Sequence, residues 1–169
     1  MANWLIRLLR HRLLDEDDAR RALDTAALAR IEALVAGSEK RHHGEIRVVV
    51  EAGLPWSYLR RSATPRERAI ALFGKLRVWD TERNSGVLIY LLLAEHAIEI
   101  VVDRGLARHV DADTWSAVTA TMREAFRRGA FEAGVAQAIE AVDALLVRHF
   151  PPAGDIADAN ELADAPLLR

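Results

Sequence analysis

An unbroken apolar run, GVLIYLLL at residues 86–93, is the feature that most constrains what this chain can fold into. Polar residues bound it on both sides, DTERNS before it and Glu95-His96 shortly after it. The run is shorter than most helices, so it predicts a strand, and a strand without polar alternation is typical of one buried on both faces. Helices must therefore cover both faces of the sheet that contains it.

Strand and helix signals alternate around this run. A β-branched stretch at residues 45–51 predicts a second strand, and residues 98–102 predict a third that forms a hairpin with the apolar run. Four helices are predicted, over residues 16–37, from Thr64-Pro65 onwards, over residues 111–127 and over residues 131–150. Residues 56–62 are predicted to be a loop. The predicted fold is α/β: a three-layer α/β/α sandwich with a small mixed sheet, plus an N-terminal helix.

Composition excludes several classes of protein. The chain has no cysteine, which excludes disulfides, zinc fingers, iron–sulfur clusters and cysteine nucleophiles. Lys plus Arg number 23 against 25 Asp plus Glu, so we expect no nucleic-acid partner. Phosphate-loop, dinucleotide-binding and serine-hydrolase motifs are absent, and the pair His42-His43 is interpreted as solvated turn residues. The lack of a long apolar segment or a signal-peptide pattern leads us to expect a cytoplasmic protein.

The two ends of the chain differ from its middle. Residues 1–14 contain three arginines and no acid, and they predict a basic amphipathic helix with one apolar stripe formed by Trp4, Leu5, Leu8, Leu9 and Leu13. This helix either docks on the domain as a satellite, or lies in a membrane interface, or binds in a partner's groove. If it lies in a membrane interface, the protein is peripheral to the membrane. Residues 15–150 are predicted to form the domain, and residues 151–169 an acidic, partly disordered tail.

Side-chain oxygens are concentrated in the loop before the apolar run. Asp80, Glu82 and Asn84 alternate along it, a spacing that is typical of loops binding a hard cation, although two positions rule out an EF-hand. Asp103 follows the hairpin's second strand and so returns to the same end of the sheet. These four residues are the predicted ligands of a weak Ca²⁺ or Mg²⁺ site; the alternative is that they only connect and cap the neighbouring elements.

Four motifs together resemble a known family. They are GEIRVVV at residues 44–50, NSGVLI at 84–89, IVVDRGL at 100–106 and F-x-x-G-x-F-x-x-G at 126–134. As a set they resemble the TPM domain family over residues 28–150, and LRVWDTE at residues 76–82 is similar to a cytosolic, single-domain bacterial branch of it.

The resemblance implies a three-layer sandwich, divalent metal binding in the loops at one end of the sheet, and weak phosphatase activity in some members. Val101 and Ala107 stand where the family carries acids, and Asp103 stands where it carries glycine. We therefore predict a non-catalytic TPM-type interaction module, membrane-associated or assembly-related, with a protein partner or a membrane surface bound through residues 1–14. The alternative is a weak metal-dependent phosphatase that uses the four oxygen ligands.

Overall fold

One mixed sheet lies at the centre of the computed structural model, which describes residues 2–152 and 160–169. Its strands are β1 (Glu45–Glu51), β2 (Gly86–Leu92), β3 (Ala97–Val102) and β4 (Leu167–Leu168). The spatial order is β3-β2-β1-β4. β1 runs parallel to both β2 and β4, and β2 and β3 form the predicted antiparallel hairpin.

Helices of very different length surround the sheet. They are α1 (Ala2–Leu13), α2 (Glu16–Ala22), α3 (Thr25–Glu39), α4 (Trp56–Arg60), α5 (Pro65–Lys75), α6 (Arg104–Ala107), α7 (Ala112–Arg127) and α8 (Phe131–His149). As predicted, α5 begins with Thr64 and Glu67 in a capping box, in which each side chain accepts a hydrogen bond from the other's backbone. Within the described residues, every helix is too short or too polar to cross a bilayer.

The alternating side chains of β2 belong to two separate cores. Val87, Ile89 and Leu91 pack in a cluster with residues of α2, α3, α7 and α8. Leu88 and Tyr90 pack on the opposite face of the sheet, with residues of α4 and α5. Every residue of β2 is buried, so the prediction of an interior strand between two helical layers is confirmed.

Two local predictions were wrong. The helix predicted over residues 16–37 is divided into α2 and α3, because Leu23 is extended and the Asp24 carboxylate accepts a hydrogen bond from the Ala27 N–H as an N-cap. Residues 56–62, predicted as a loop, contain the short helix α4, whose Leu59 is buried in the core beneath it.

The strand β4 was not predicted either. It lies within the tail for which partial disorder was predicted, and residues 160–169 of that tail follow the edge of β1. Residues 153–159 lie outside the described residues, so the prediction of disorder remains untested there.

Candidate functional site

Two of the four predicted metal ligands meet at one end of the sheet. The Asp103 N–H donates to the Gly86 carbonyl at 2.9 Å, and the Arg104 Nε donates to the Asn84 Oδ1 at 2.8 Å. Gly105 sits so close to this loop that a Cβ there would lie 2.3 Å from the Asn84 carbonyl oxygen. The hairpin therefore returns residues 103–105 to the 80–85 loop, as the antiparallel pairing requires.

Asp103 carries the one feature of this loop cluster that favours a ligand. Asp103 is buried and is the N-cap of α6. Its Oδ1 accepts a hydrogen bond from the Arg104 N–H at 2.6 Å. Its Oδ2 is also buried and has no hydrogen-bond partner among the described residues. A buried carboxylate oxygen without a partner is costly unless something else satisfies it.

The other two predicted ligands point elsewhere. The Asp80 side chain is exposed and lies 3.8 Å from the Arg77 guanidinium. The Glu82 side chain is exposed as well, and its backbone N–H donates to the Glu161 carboxylate. No three Asp, Glu or His side chains of the described residues converge as metal ligands would.

Few free oxygen ligands are available in this loop cluster for a divalent cation. A hard cation such as Ca²⁺ takes six or more oxygen ligands, whereas here Asp103 contributes one unpartnered oxygen and the Arg104 guanidinium already occupies the Asn84 oxygen. The predicted cation site accordingly stays a prediction, and the donor set supports no metal-dependent step.

A serine, a histidine and an aspartate also meet between α3 and α8. The Ser38 Oγ lies 2.8 Å from both the His42 Nε2 and the Asp143 Oδ1. The Gly44 N–H donates to the His42 Nδ1, so the ring proton is on Nε2. Burial lowers the pKa of His42 and outweighs the opposing effect of Asp143. All three side chains are buried, so the interpretation of His42 as a solvated residue was wrong. The network joins α3 to α8 and stabilises their packing.

A different set of polar contacts binds α1 to the opposite end of the sheet. The Arg7 Nε and the His11 Nε2 both donate to the Glu95 Oε1, at 2.7 and 2.8 Å. Arg7 also donates to the Ala63 carbonyl, and the His11 Nδ1 accepts the Leu54 N–H at 2.9 Å. α1 is therefore fixed by its polar side, with the His11 side chain fully buried.

The contact between α1 and the domain is close. A Cβ on Gly53 would lie 2.6 Å from the His11 carbonyl oxygen, so glycine is required there. Partial burial alone would raise the pKa of Glu95, but hydrogen bonds from His11 and Arg7 outweigh that effect and lower the pKa below its usual value. The Glu95 carboxylate is therefore charged and pairs with the helix at neutral pH.

The apolar side of α1 faces outward. Leu5, Leu9 and Leu13 are 53%, 59% and 78% exposed, and Ile6 beside them is 56% exposed. Leu8, which the sequence placed on the same stripe, instead packs against the core beneath α4 and α5. An amphipathic helix normally buries its apolar face, so this inverted orientation marks α1 as the candidate functional surface.

Sequence reasoning found the apolar stripe but not the anchors. Arg7 and His11 lie outside the predicted stripe, and Glu95 lies in the short polar segment after the apolar run. Their spacing is a usable signal, because Arg7 and His11 are four residues apart and so share one helical face. Their common acceptor, however, lies more than eighty residues away in the chain.

Comparisons with known proteins agree with the fold. The family model for the TPM domain matches residues 17–145. The NMR structure of the BA42 protein from the psychrophilic bacterium Bizionia argentinensis is 27% identical, covers 86% of this chain and 94% of its own, and superposes with a TM-score of 0.74. The N-terminal domain of a P. gingivalis protein, 18% identical with 78% and 82% covered, shares the fold with a TM-score of 0.62. No curated protein matches the chain significantly.

Proposed function

This chain belongs to the TPM domain family, and we propose that it is a non-catalytic TPM-type binding module that docks on an anionic membrane surface through α1. The observation that carries the proposal is the outward-facing stripe of Leu5, Ile6, Leu9 and Leu13 on a helix whose polar side is tied to the domain.

Charge favours a membrane over a protein groove as the occupant. At 3.6 residues per turn, Arg10 and Arg12 fall on either side of the apolar stripe. Both are exposed, neither forms an ion pair with any described residue, and α1 contains no acid. An apolar stripe flanked by arginines is typical of helices that lie in the interface of an anionic bilayer.

An exposed tryptophan and an exposed arginine lie on α4, whose preceding segment is bonded to α1. Trp56, which is 51% exposed, begins α4 two residues after the Leu54 that bonds His11. Arg60 at the end of the same helix is exposed too. Tryptophan prefers the headgroup region of bilayers, and arginine there is attracted to anionic lipid.

The acidic residues that follow α1 do not cancel its charge. Asp15 and Asp18 cap α2 reciprocally, and Glu16 and Asp18 form ion pairs with Arg20 and Arg21. Arg10 and Arg12 form no ion pair with these acids, so both remain available to lipid.

The phosphatase alternative has less support. Metal-assisted phosphoryl transfer requires charge-stabilising groups that converge on the phosphoryl oxygens. Asp80 and Glu82 do not converge with Asp103. A binding module makes no such demand on the loop cluster.

Co-sedimentation of the full chain with vesicles tests the proposal. We expect binding to phosphatidylcholine mixed with phosphatidylserine and little binding to phosphatidylcholine alone. Leu9→Asp with Leu13→Asp should reduce the affinity more than about tenfold, because charged groups resist burial among acyl chains. Arg10→Gln with Arg12→Gln should reduce it by about tenfold or more, since each basic residue near an anionic surface contributes about 1 kcal/mol.

Ile70→Asp is the matched control, because Ile70 is 52% exposed on α5 and lies outside α1. It should leave vesicle binding unchanged. If wild-type protein does not bind the mixed vesicles, or if the leucine variant binds as well as wild type, membrane docking is wrong and the stripe is left for a protein partner.

A further inference from the structure

The outer edge of β1 is occupied by residues 160–169 of the same chain, which we call the strap. Leu167 and Leu168 pair in parallel with Val49 and Val50. The Arg169 N–H donates to the Val50 carbonyl at 2.9 Å, and the Ala52 N–H donates to the Arg169 carbonyl at 2.8 Å. Without the strap, β1 would present a row of unpaired backbone groups.

Two charged side chains of β1 bind the backbone of the strap before the strand pairing begins. The Glu45 carboxylate accepts the N–H groups of Glu161 and Leu162, both at 3.2 Å. The Arg47 guanidinium donates to the carbonyls of Ala163 and Ala165. These contacts recognise an extended main chain rather than particular side chains.

Apolar anchoring of the strap is modest. Leu162 and Leu167 pack against the core beneath α4 and α5, and Leu168 packs against the core on the opposite face of the sheet. All three leucines are only partly buried. The strap thus covers both faces of the edge without becoming part of either core.

Docking of the strap also has an electrostatic cost. It brings Asp164 beside Glu39, near Glu45. Burial, together with these two carboxylates, raises the pKa of Glu39 to about 8. The Arg47 guanidinium, which lies among the strap's carbonyls, is attracted to Asp164. Below that pH Glu39 is largely protonated and shares a hydrogen bond with Asp164, so repulsion among these carboxylates weakens the docking of the strap as Glu39 becomes charged.

We propose that the edge of β1 is a binding site for an extended polypeptide segment and that the strap of one copy of this chain can occupy the edge of a second copy. The second copy is the favoured occupant because the strap's sequence is the one shown to fit the edge. In such a dimer, each strap lies on the β1 edge of the other copy instead of its own. Every contact between strap and edge is the same in both arrangements, and only the chain that supplies the strap changes.

Cysteine cross-linking tests this proposal directly, because the chain has no cysteine of its own. Val49 and Leu167 are register partners in β1 and β4, and partners in adjacent strands lie within the Cα separation that a disulfide spans. Mixing a full-length Val49→Cys chain with a full-length Leu167→Cys chain under mild oxidation should give a mixed disulfide dimer. Its yield should rise with protein concentration and fall when a peptide of the 160–169 sequence is added.

Val48→Cys mixed with Leu167→Cys is the matched control. Val48 is as fully buried as Val49 but faces the opposite side of the sheet, so this pair should not cross-link. The single chain carrying both Val49→Cys and Leu167→Cys should close an internal disulfide, which shows that the substituted chain folds with the observed register.

Unmodified chains give a second readout in case these variants fold poorly. Native mass spectrometry of a mixture of nitrogen-14 and nitrogen-15 chains should detect a hybrid dimer. Arg47→Ala loosens the strap in both arrangements, so it should raise the rate at which the hybrid forms severalfold and leave the dimer fraction nearly unchanged. The proposal is overturned if wild-type chains stay monomeric up to the solubility limit, or if the Val49 pair cross-links no more than the Val48 pair.

Discussion

At the scale of single residues, the environment of each carboxylate decides what it can do. Asp103 keeps a buried oxygen that has no hydrogen-bond partner in the described part of the chain, while Asp80 is exposed beside Arg77. Asn84 is held in a left-handed backbone conformation with φ of 53°, and its side-chain oxygen is bonded to Arg104. The loop cluster is thus organised by its own hydrogen bonds.

This geometry predicts at most weak binding of Ca²⁺. We expect no saturable heat in calorimetric titration of the full chain with Ca²⁺ and a change in melting temperature within the error of the measurement, because one free carboxylate oxygen cannot replace the ion's hydration shell. Asp80→Asn with Asp103→Asn should titrate like wild type. A saturable heat that this double variant abolishes would restore the cation site and, with it, the phosphatase alternative.

At the scale of elements, α1 shows how one helix can be attached and still present a binding surface. Its polar face meets the domain through Arg7 and His11, which leaves the leucine stripe outside. The attachment depends on a close backbone approach at Gly53.

We expect Gly53→Ala to lower the free energy of unfolding by about 1–3 kcal/mol, because an added methyl group forces the backbone of α1 away from the domain. Gly37→Ala in α3 is the control, since a Cβ there meets nothing within 4 Å. It should stabilise the protein by about 0.5–1 kcal/mol through helix propensity. Urea denaturation measures both values, and equal stability of Gly53→Ala and wild type would show that α1 is not packed as described.

At the scale of the whole molecule, buried ionisable groups make stability depend on pH. The pKa of Glu39 is raised from 4.5 to about 8, chiefly by burial, so the folded state favours its protonated form. The stability that this group contributes is present below pH 4.5 and is lost as the pH rises towards 8. His42 acts in the other direction, because its lowered pKa makes the fold lose stability as the pH falls below 6.5.

Glu39→Gln should therefore remove the loss of stability between about pH 7 and 8, where His42 is neutral. Its amide oxygen can still accept the Ile46 N–H that Glu39 accepts at 2.9 Å. We expect a gain of roughly 1–2 kcal/mol at the upper end of this range, since one unit of pKa shift is about 1.4 kcal/mol and the partial exposure of the group reduces its effect. Glu32→Gln, at an exposed position of the same helix, should leave the pH profile of urea denaturation unchanged; an unchanged profile for Glu39→Gln would contradict the prediction.

The layered fold could be predicted from the sequence because local patterns carry it. The run at residues 86–93 has no polar face, so the strand that it forms had to be interior, and the short connection after it required a hairpin. Thr64, Pro65 and Glu67 marked the start of α5 for an equally local reason. The hairpin also placed Asn84 and Asp103 at one end of the sheet.

Tertiary structure alone decided the rest, because the contacts involved join residues far apart in the chain. A helical wheel shows that α1 has two faces, but only the Glu95 carboxylate that accepts from it and the Leu54 N–H that donates to it determine that its polar face is buried. The strap has no strand signal of its own; it becomes β4 because β1 offers an open edge with Glu45 and Arg47 beside it. Likewise, His42 can be buried because the Ser38 hydroxyl and the Gly44 N–H satisfy its two ring nitrogens. Local sequence sets which conformations a segment can adopt, and the partner that reaches it through the fold selects among them.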